Sequence, residues 1–210
     1  MIKWTACLGL GALVALTPLA ASADEGAERL AGMLEPLKTY SAEFDQKILD
    51  SGGQRLQEAS GQMWLARPGR FRWEVDAPYQ QIVVSDGAEV TLYDPDLKQA
   101  TVQALDERVT HTPALLLSGS ADELTESYDV TRSQQGTAET FTLTPKNPDT
   151  LFESLKMTFY SETLGRLQMT DSTGQRTAIE FDNTEQNAEI ADSRFSLELP
   201  EGTDVIRQGS

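Results

Sequence analysis

The sequence predicts a mainly β protein with a few helices, built on one large curved antiparallel sheet. Three observations lead there. Short segments of period-two apolar alternation recur along most of the chain, separated by Gly, Pro and Asp turn pairs. Only two segments carry helical apolar spacing, and both are leucine-rich. The single cysteine, Cys7, lies near the N-terminus, so no disulfide can staple the rest and packing alone must hold it.

In chain order, residues 1–23 read as a secretory signal peptide. Lys3 gives a positive start, Trp4 to Leu19 is rich in Leu, Ala, Val and Gly, and Ala21-Ser22-Ala23 is a small-x-small cleavage site before Asp24. Cys7 precedes the apolar run and is badly placed to receive lipid at a cleavage site. Cleavage after Ala23 would release one secreted domain, residues 24–210. Lys3 is the only charged residue removed, which leaves 16 Lys and Arg against 33 Asp and Glu, a formal charge of −17. Such acidity opposes binding to nucleic acid or to anionic headgroups and suits a monomer that diffuses between membranes without adhering to them.

Asp24 can cap a helix over 24–39, in which Leu30, Met33, Leu34 and Leu37 form one apolar stripe, with Pro36 limiting its length. Strands are then predicted at Ala42–Leu49, Arg55–Ala66, Phe71–Asp76, Gln80–Ser85, Val90–Tyr93 and Thr101–Leu105, punctuated by Gly52-Gly53, Asp86-Gly87 and Asp94-Pro95. Thr112–Ser118 reads as a short helix with Thr112 as cap, Pro113 in the first turn and Gly119 at its end. Leu115, Leu116 and Leu117 make it apolar nearly all round. Strands resume at Tyr128–Ser133, Glu139–Thr144, Leu155–Tyr160, Arg166–Asp171, Thr177–Asp182 and Arg194–Glu198. Roughly eleven strands with two apolar helical pieces suggest a sheet that curls, its concave side filled by the helices as a lid. A closed sandwich with both helices packed outside fits the same pattern.

The densest segment is Gly61–Val75, where Met63, Trp64 and Leu65 face Phe71, Trp73 and Val75 across the turn Arg67-Pro68-Gly69. Large side chains converge from both strands with Arg67 at their edge, forming either a plain sheet core or the lining of an apolar cavity with a cationic latch. Arg70 and Arg72 alternate outward, onto a solvated face or a membrane partner.

Catalysis finds little support. His111 is the only histidine and reads as a loop residue, no G-x-S-x-G occurs, and a Cys/His metal cluster is excluded after cleavage. Glu74/Asp76 and Asp94/Asp96 read as solvated strand-end and turn carboxylates, and the D-x-D-G calcium framework is absent. No cofactor or metal is expected.

Four segments in register carry a resemblance: RPGRFRW at 67–73, QQIVVSDG at 80–87 followed by LYDPDLKQ at 92–99, TPALLLSG at 112–119 and FSLELPEGTDVI at 195–206. Behind a signal peptide, this combination resembles the periplasmic outer-membrane lipoprotein carrier (LolA) family of Gram-negative bacteria. The resemblance implies an unclosed β-barrel lidded by helices, a hydrophobic cavity for acyl chains, and transfer of acylated lipoproteins from an inner-membrane ABC transporter to an outer-membrane acceptor lipoprotein. It also implies that Arg67 is a lid latch with partners near Leu34 and around Leu117 and Ser118. Phe71 and Trp73 match the family's cavity aromatics. Met63, Leu65 and Val75 from the wall, and Leu30, Leu115 and Leu116 from the lid, are expected beside them. A carrier of other lipids or glycolipids, and an envelope-stress lipoprotein-sensing module, share this architecture and remain open.

Overall fold

The computed structural model describes residues 21–105, 113–148, 150 and 152–208. The first twenty residues of the expected leader lie outside the described residues, as do His111 and Thr112. Among the described residues no helix is long and apolar enough to cross a membrane.

A first helix, α1 (Ala21–Leu34), leads into six strands: β1 (Thr39–Leu49), β2 (Arg55–Ala66), β3 (Arg70–Ala77), β4 (Gln81–Asp86), β5 (Glu89–Asp94) and β6 (Gln99–Ala104). A 3-10 segment, Pro113–Ser118, and α2 (Ala121–Ser127) follow. Then come β7 (Tyr128–Gln135), β8 (Ala138–Pro145), β9 (Phe152–Tyr160), β10 (Thr163–Asp171) and β11 (Arg176–Gln186). A second 3-10 segment, Asp192–Phe195, precedes β12 (Asp204–Gln208).

All twelve strands join one sheet in the order β12-β6-β5-β4-β3-β2-β1-β11-β10-β9-β8-β7. Two antiparallel meanders therefore meet where β1 pairs β11, and the two ends, β12 and β7, are not hydrogen-bonded to each other. The barrel is unclosed.

Alternation sets the faces. In β2 and β3, Met63 stands opposite Trp73 and Leu65 opposite Phe71, so their side chains share the inner face with Val83 of β4. The inner faces of both meanders and the lid form one buried cluster, including Phe44, Trp73, Phe141, Leu155, Met157 and Ile179 together with Leu30, Leu34, Leu115 and Leu117. A closed sandwich with its helices outside is thereby excluded.

Three elements differ from expectation. Helix α1 stops at Leu34 rather than residue 39, because Pro36 has no N–H and disfavours helical geometry at Glu35. Leu37 is buried all the same, in the turn that follows. The predicted strand Arg194–Glu198 is instead the 3-10 turn Asp192–Phe195 and an irregular stretch, and the terminal strand is β12, parallel to β6 with Asp204 opposite Gln99. Helix α2, with Ala121 and Leu124 buried, has too short an apolar stripe to stand out from the sequence.

The C-terminal segment crosses the outer face of β3 and β4. Phe195 is buried there, and Val84, Tyr93, Ala100 and Val102, which point away from the inner cluster, are buried too. Arg70 pairs with Asp192 and lies over the Phe195 ring, 5.3 Å from its centroid. Arg72 Nη1 donates to the carbonyls of Arg194 and Ser196 at 3.2 and 3.1 Å. Both arginines face outward, but they clamp this strap rather than standing on a solvated or membrane-facing surface.

Candidate functional site

The wall begins with β2 and β3. Met63, Leu65 and Phe71 are wholly buried, Trp73 is nearly so, and Val75 is half-buried against the same cluster. The Trp73 ring stacks on Phe44 of β1 at 3.6 Å between centroids and 17°, with Phe71 at 6.3 Å and 15° on Trp73. Three nearly parallel rings thus make an aromatic slab. Gly61 makes room for it: a Cβ there would lie 1.8 Å from the Glu74 carbonyl oxygen and 3.0 Å from Phe44 Cζ. Phe44 is the wall residue that sequence reading passed over, although Ala42 and Phe44 alternate inward within a predicted strand.

Against the wall lies the lid. Leu30 and Leu34 of α1 are fully buried, as are Leu115 and Leu117 to within a few per cent, while Leu116 is half-buried at the edge. The 3-10 segment packs on β2, β3 and β10, whereas α1 packs on β7 and α2. Wall and lid leave no boundary between them and form one buried cluster.

The two lid pieces meet at the turn between β2 and β3. Arg67 Nη1 donates to the Leu34 carbonyl at 2.7 Å, and its Nε donates to the Leu117 carbonyl at 2.9 Å. Both acceptors are at helix ends, where carbonyls lack intrahelical partners and the helix dipole is negative. A guanidinium suits them because its donors fan out in one plane. Burial pushes the Arg67 guanidinium below its ordinary value. Its Nη2 is buried with no hydrogen-bond partner, and no carboxylate pairs with it among the described residues.

Ser118 sits at the same junction but bonds differently. Its carbonyl accepts the Gly69 N–H at 2.9 Å, and its hydroxyl donates to the Leu115 carbonyl at 2.8 Å. Gly69 has φ +71° and faces Gly87, with 3.0 Å from its virtual Cβ to the Gly87 Cα, so a side chain there is disfavoured twice over. The fully buried Ser85 donates its hydroxyl to the Gly69 carbonyl at 2.7 Å. Beside it, the N–H groups of Glu89 and Ala88 hold the Asp86 carboxyl below its usual range and fix the next turn. The Arg67 amide donates to the Lys38 carbonyl at 2.9 Å, tying the turn to the start of β1.

A family model described as outer membrane lipoprotein carrier protein LolA matches residues 35–198. The chain belongs to this family. A relative from Chromohalobacter salexigens named outer-membrane lipoprotein carrier protein is 65% identical over 99% of this chain and 98% of its own. One of the same name from Pseudomonas putida is 46% identical over 96% of this chain and 95% of its own. Among solved structures, an uncharacterised conserved protein from Thermus thermophilus aligns with TM-score 0.53 at 12% identity, over 89% of this chain and 99% of that one. A DUF1329 family protein from Desulfovibrio piger aligns with TM-score 0.52 at 12% identity, over 83% and 97%. Those two likenesses speak for the fold alone.

Proposed function

We propose that the protein is a periplasmic carrier that shields the acyl chains of lipoproteins and moves them from an inner-membrane ABC transporter to an acceptor lipoprotein of the outer membrane. Cleavage after Ala23 releases it into the periplasm, and it works without catalysis. The observation that carries this reading is the junction at Arg67: two leucine-lined lid pieces are joined to each other over a continuous apolar wall by one side chain bonded to carbonyls alone.

Each buried CH₂ of an acyl chain contributes ~0.8 kcal/mol, so exposing a tri-acylated anchor to water costs on the order of 30 kcal/mol. Crossing an aqueous compartment therefore requires an apolar enclosure. An open enclosure is itself a large exposed apolar patch that invites aggregation. A lid solves that problem when empty, and its leucines give way to acyl chains when loaded. In this scheme Leu30, Leu34, Leu115, Leu116 and Leu117 are exchanged for cargo, while Met63, Leu65, Phe71, Trp73 and Val75, with Phe44, contact it. Arg67 favours the closed state only weakly, because a desolvated cation with an unpaired donor offsets part of what its two hydrogen bonds contribute.

Mass spectrometry of material copurifying with the protein from the periplasm tests the reading. Triacylated N-terminal peptides are the expected finding; free phospholipid or glycolipid in their place would remove lipoproteins as the cargo.

A further inference from the structure

On the other meander from Arg67, the inner face of the sheet carries a carboxylate in a place that packing would fill with an apolar residue. Glu139 of β8 is 7% exposed, lies opposite Phe159 of β9 and alternates with Phe141 and Leu143 on the inner face. Arg29 of α1 grips it with two bonds, Nε to Oε1 at 3.2 Å and Nη2 to Oε2 at 3.1 Å. Arg132 of β7 donates its Nε to the same Oε1, and Arg29 Nη2 also reaches Glu162 Oε1 at 3.4 Å. One turn earlier, α1 lies directly on the β7 backbone at Gly26, where a Cβ would come within 2.9 Å of the Val130 carbonyl oxygen. The middle of α1, from Gly26 to Arg29, is thus tied to the β7–β8 edge by ions and close backbone approach, and its last residue, besides its apolar packing, is hydrogen-bonded to the opposite meander by Arg67.

A buried ion pair is poor evidence for stability, since an apolar replacement of similar volume is often neutral or stabilising. A better account of this one is geometric. We propose that Glu139 is a positioning residue for cargo exchange: with Arg29 and Arg132 it forms the fixed pivot on which α1 lifts when Arg67 releases Leu34. The entrance then opens between the end of α1 and the β2–β3 turn, while the 3-10 segment stays with that turn through Ser118 and Gly69. The inference rests on the carrier reading, but its geometry is testable without cargo.

No cysteine follows Cys7, so label pairs can be placed freely in the processed chain. Glu35→Cys with Ala88→Cys reports the distance from the end of α1 to the β4–β5 turn, which packs on Gly69 of the β2–β3 turn, and Glu28→Cys with Gln134→Cys reports the middle of α1 against β7. Arg67→Leu should lengthen the first spin-label distance by about 5 Å, one helical pitch, and leave the second unchanged. Adding Glu139→Gln should lengthen or broaden the second as well. Arg29→Gln, which leaves Glu139 paired with Arg132, should do the same. A second distance that lengthens with Arg67→Leu alone, or that stays fixed in both double variants, overturns the pivot. In the otherwise wild-type carrier, Glu139→Gln should leak captured tripalmitoylated lipopeptide into acceptor-free vesicles roughly tenfold faster, the rate equivalent of one charge-assisted bond; unchanged leakage also overturns it. Failure of the wild type to capture that lipopeptide would sink the carrier reading while leaving the label distances to decide the pivot.

Discussion

The C-terminal end and the middle of α1 are held by opposite chemistries. At its C-terminal end a buried cation, Arg67, meets only carbonyls and keeps one nitrogen unpaired. Near its middle a buried anion, Glu139, is met by two cations whose side chains are 40% and 32% exposed. The first arrangement is desolvated and incompletely satisfied, so its two bonds contribute little net stability. The second lets its arginines keep part of their hydration while saturating the carboxylate, and so it holds. A lid must be firm somewhere and loose somewhere else, and the position of the charge relative to water decides which is which.

The largest effect is expected from the wall that both attachments cover. Trp73→Ala removes a stacked, buried ring and should cost about 3–5 kcal/mol in urea unfolding. It should also lower capture of acylated cargo; capture equal to wild type would place that ring outside the cargo path. Glu139→Ala comes next, at about 1–2 kcal/mol, a discounted value because both arginine partners can rehydrate. Its pH dependence sharpens the contrast. The Arg29 bond, against the opposing effect of burial, holds the Glu139 carboxyl below its ordinary value of 4.5. That contribution is present in full above the unfolded value and is lost as pH falls through the lower folded value. Wild type should therefore lose stability on acidification below about pH 4.5, and Glu139→Gln should lose less. Parallel acid limbs for the two proteins would remove the ion pair from the account.

Ser85→Ala leaves the Gly69 carbonyl without its buried donor and should cost about 1 kcal/mol, seen as a lower denaturation midpoint at unchanged slope. Arg67→Leu should shift stability least, within about 1 kcal/mol, because losing two bonds is offset by relief of the buried charge. Its effect belongs to delivery: without the latch to reclose the lid, cargo should stay bound longer and pass to the acceptor more slowly. A large stability loss, or unchanged transfer kinetics, would place Arg67 among ordinary structural residues.

Much of the wall was legible in the sequence. Alternation in β2 and β3 put Met63, Leu65, Phe71 and Trp73 on one face, and the structure brings them together with the lid leucines. Phe44 was legible in principle, since it alternates with Ala42, but no turn or motif drew attention to it. The contacts of Arg67 with Leu34 and Leu117 came only through family resemblance, because nothing local links a turn arginine to carbonyls 33 and 50 residues away. Arg29 and Glu139, 110 residues apart, left no pattern at all. The ending FSLELPEGTDVI alternates like a strand, yet Phe195 is buried on the outer face and the pairing is made by Asp204–Gln208.

By itself the sequence determined what is periodic: which residues alternate inward, where turns interrupt them, and that the helical pieces are few and apolar. Period two and period 3.6 arise from bonds within a few residues, so they are written locally. Only the tertiary structure decided that a carboxylate on β8 anchors a helix from the other end of the chain and that the C-terminal segment straps the outside. Those pairings depend on how the meanders curl toward each other, and charge at a distance carries no period to read.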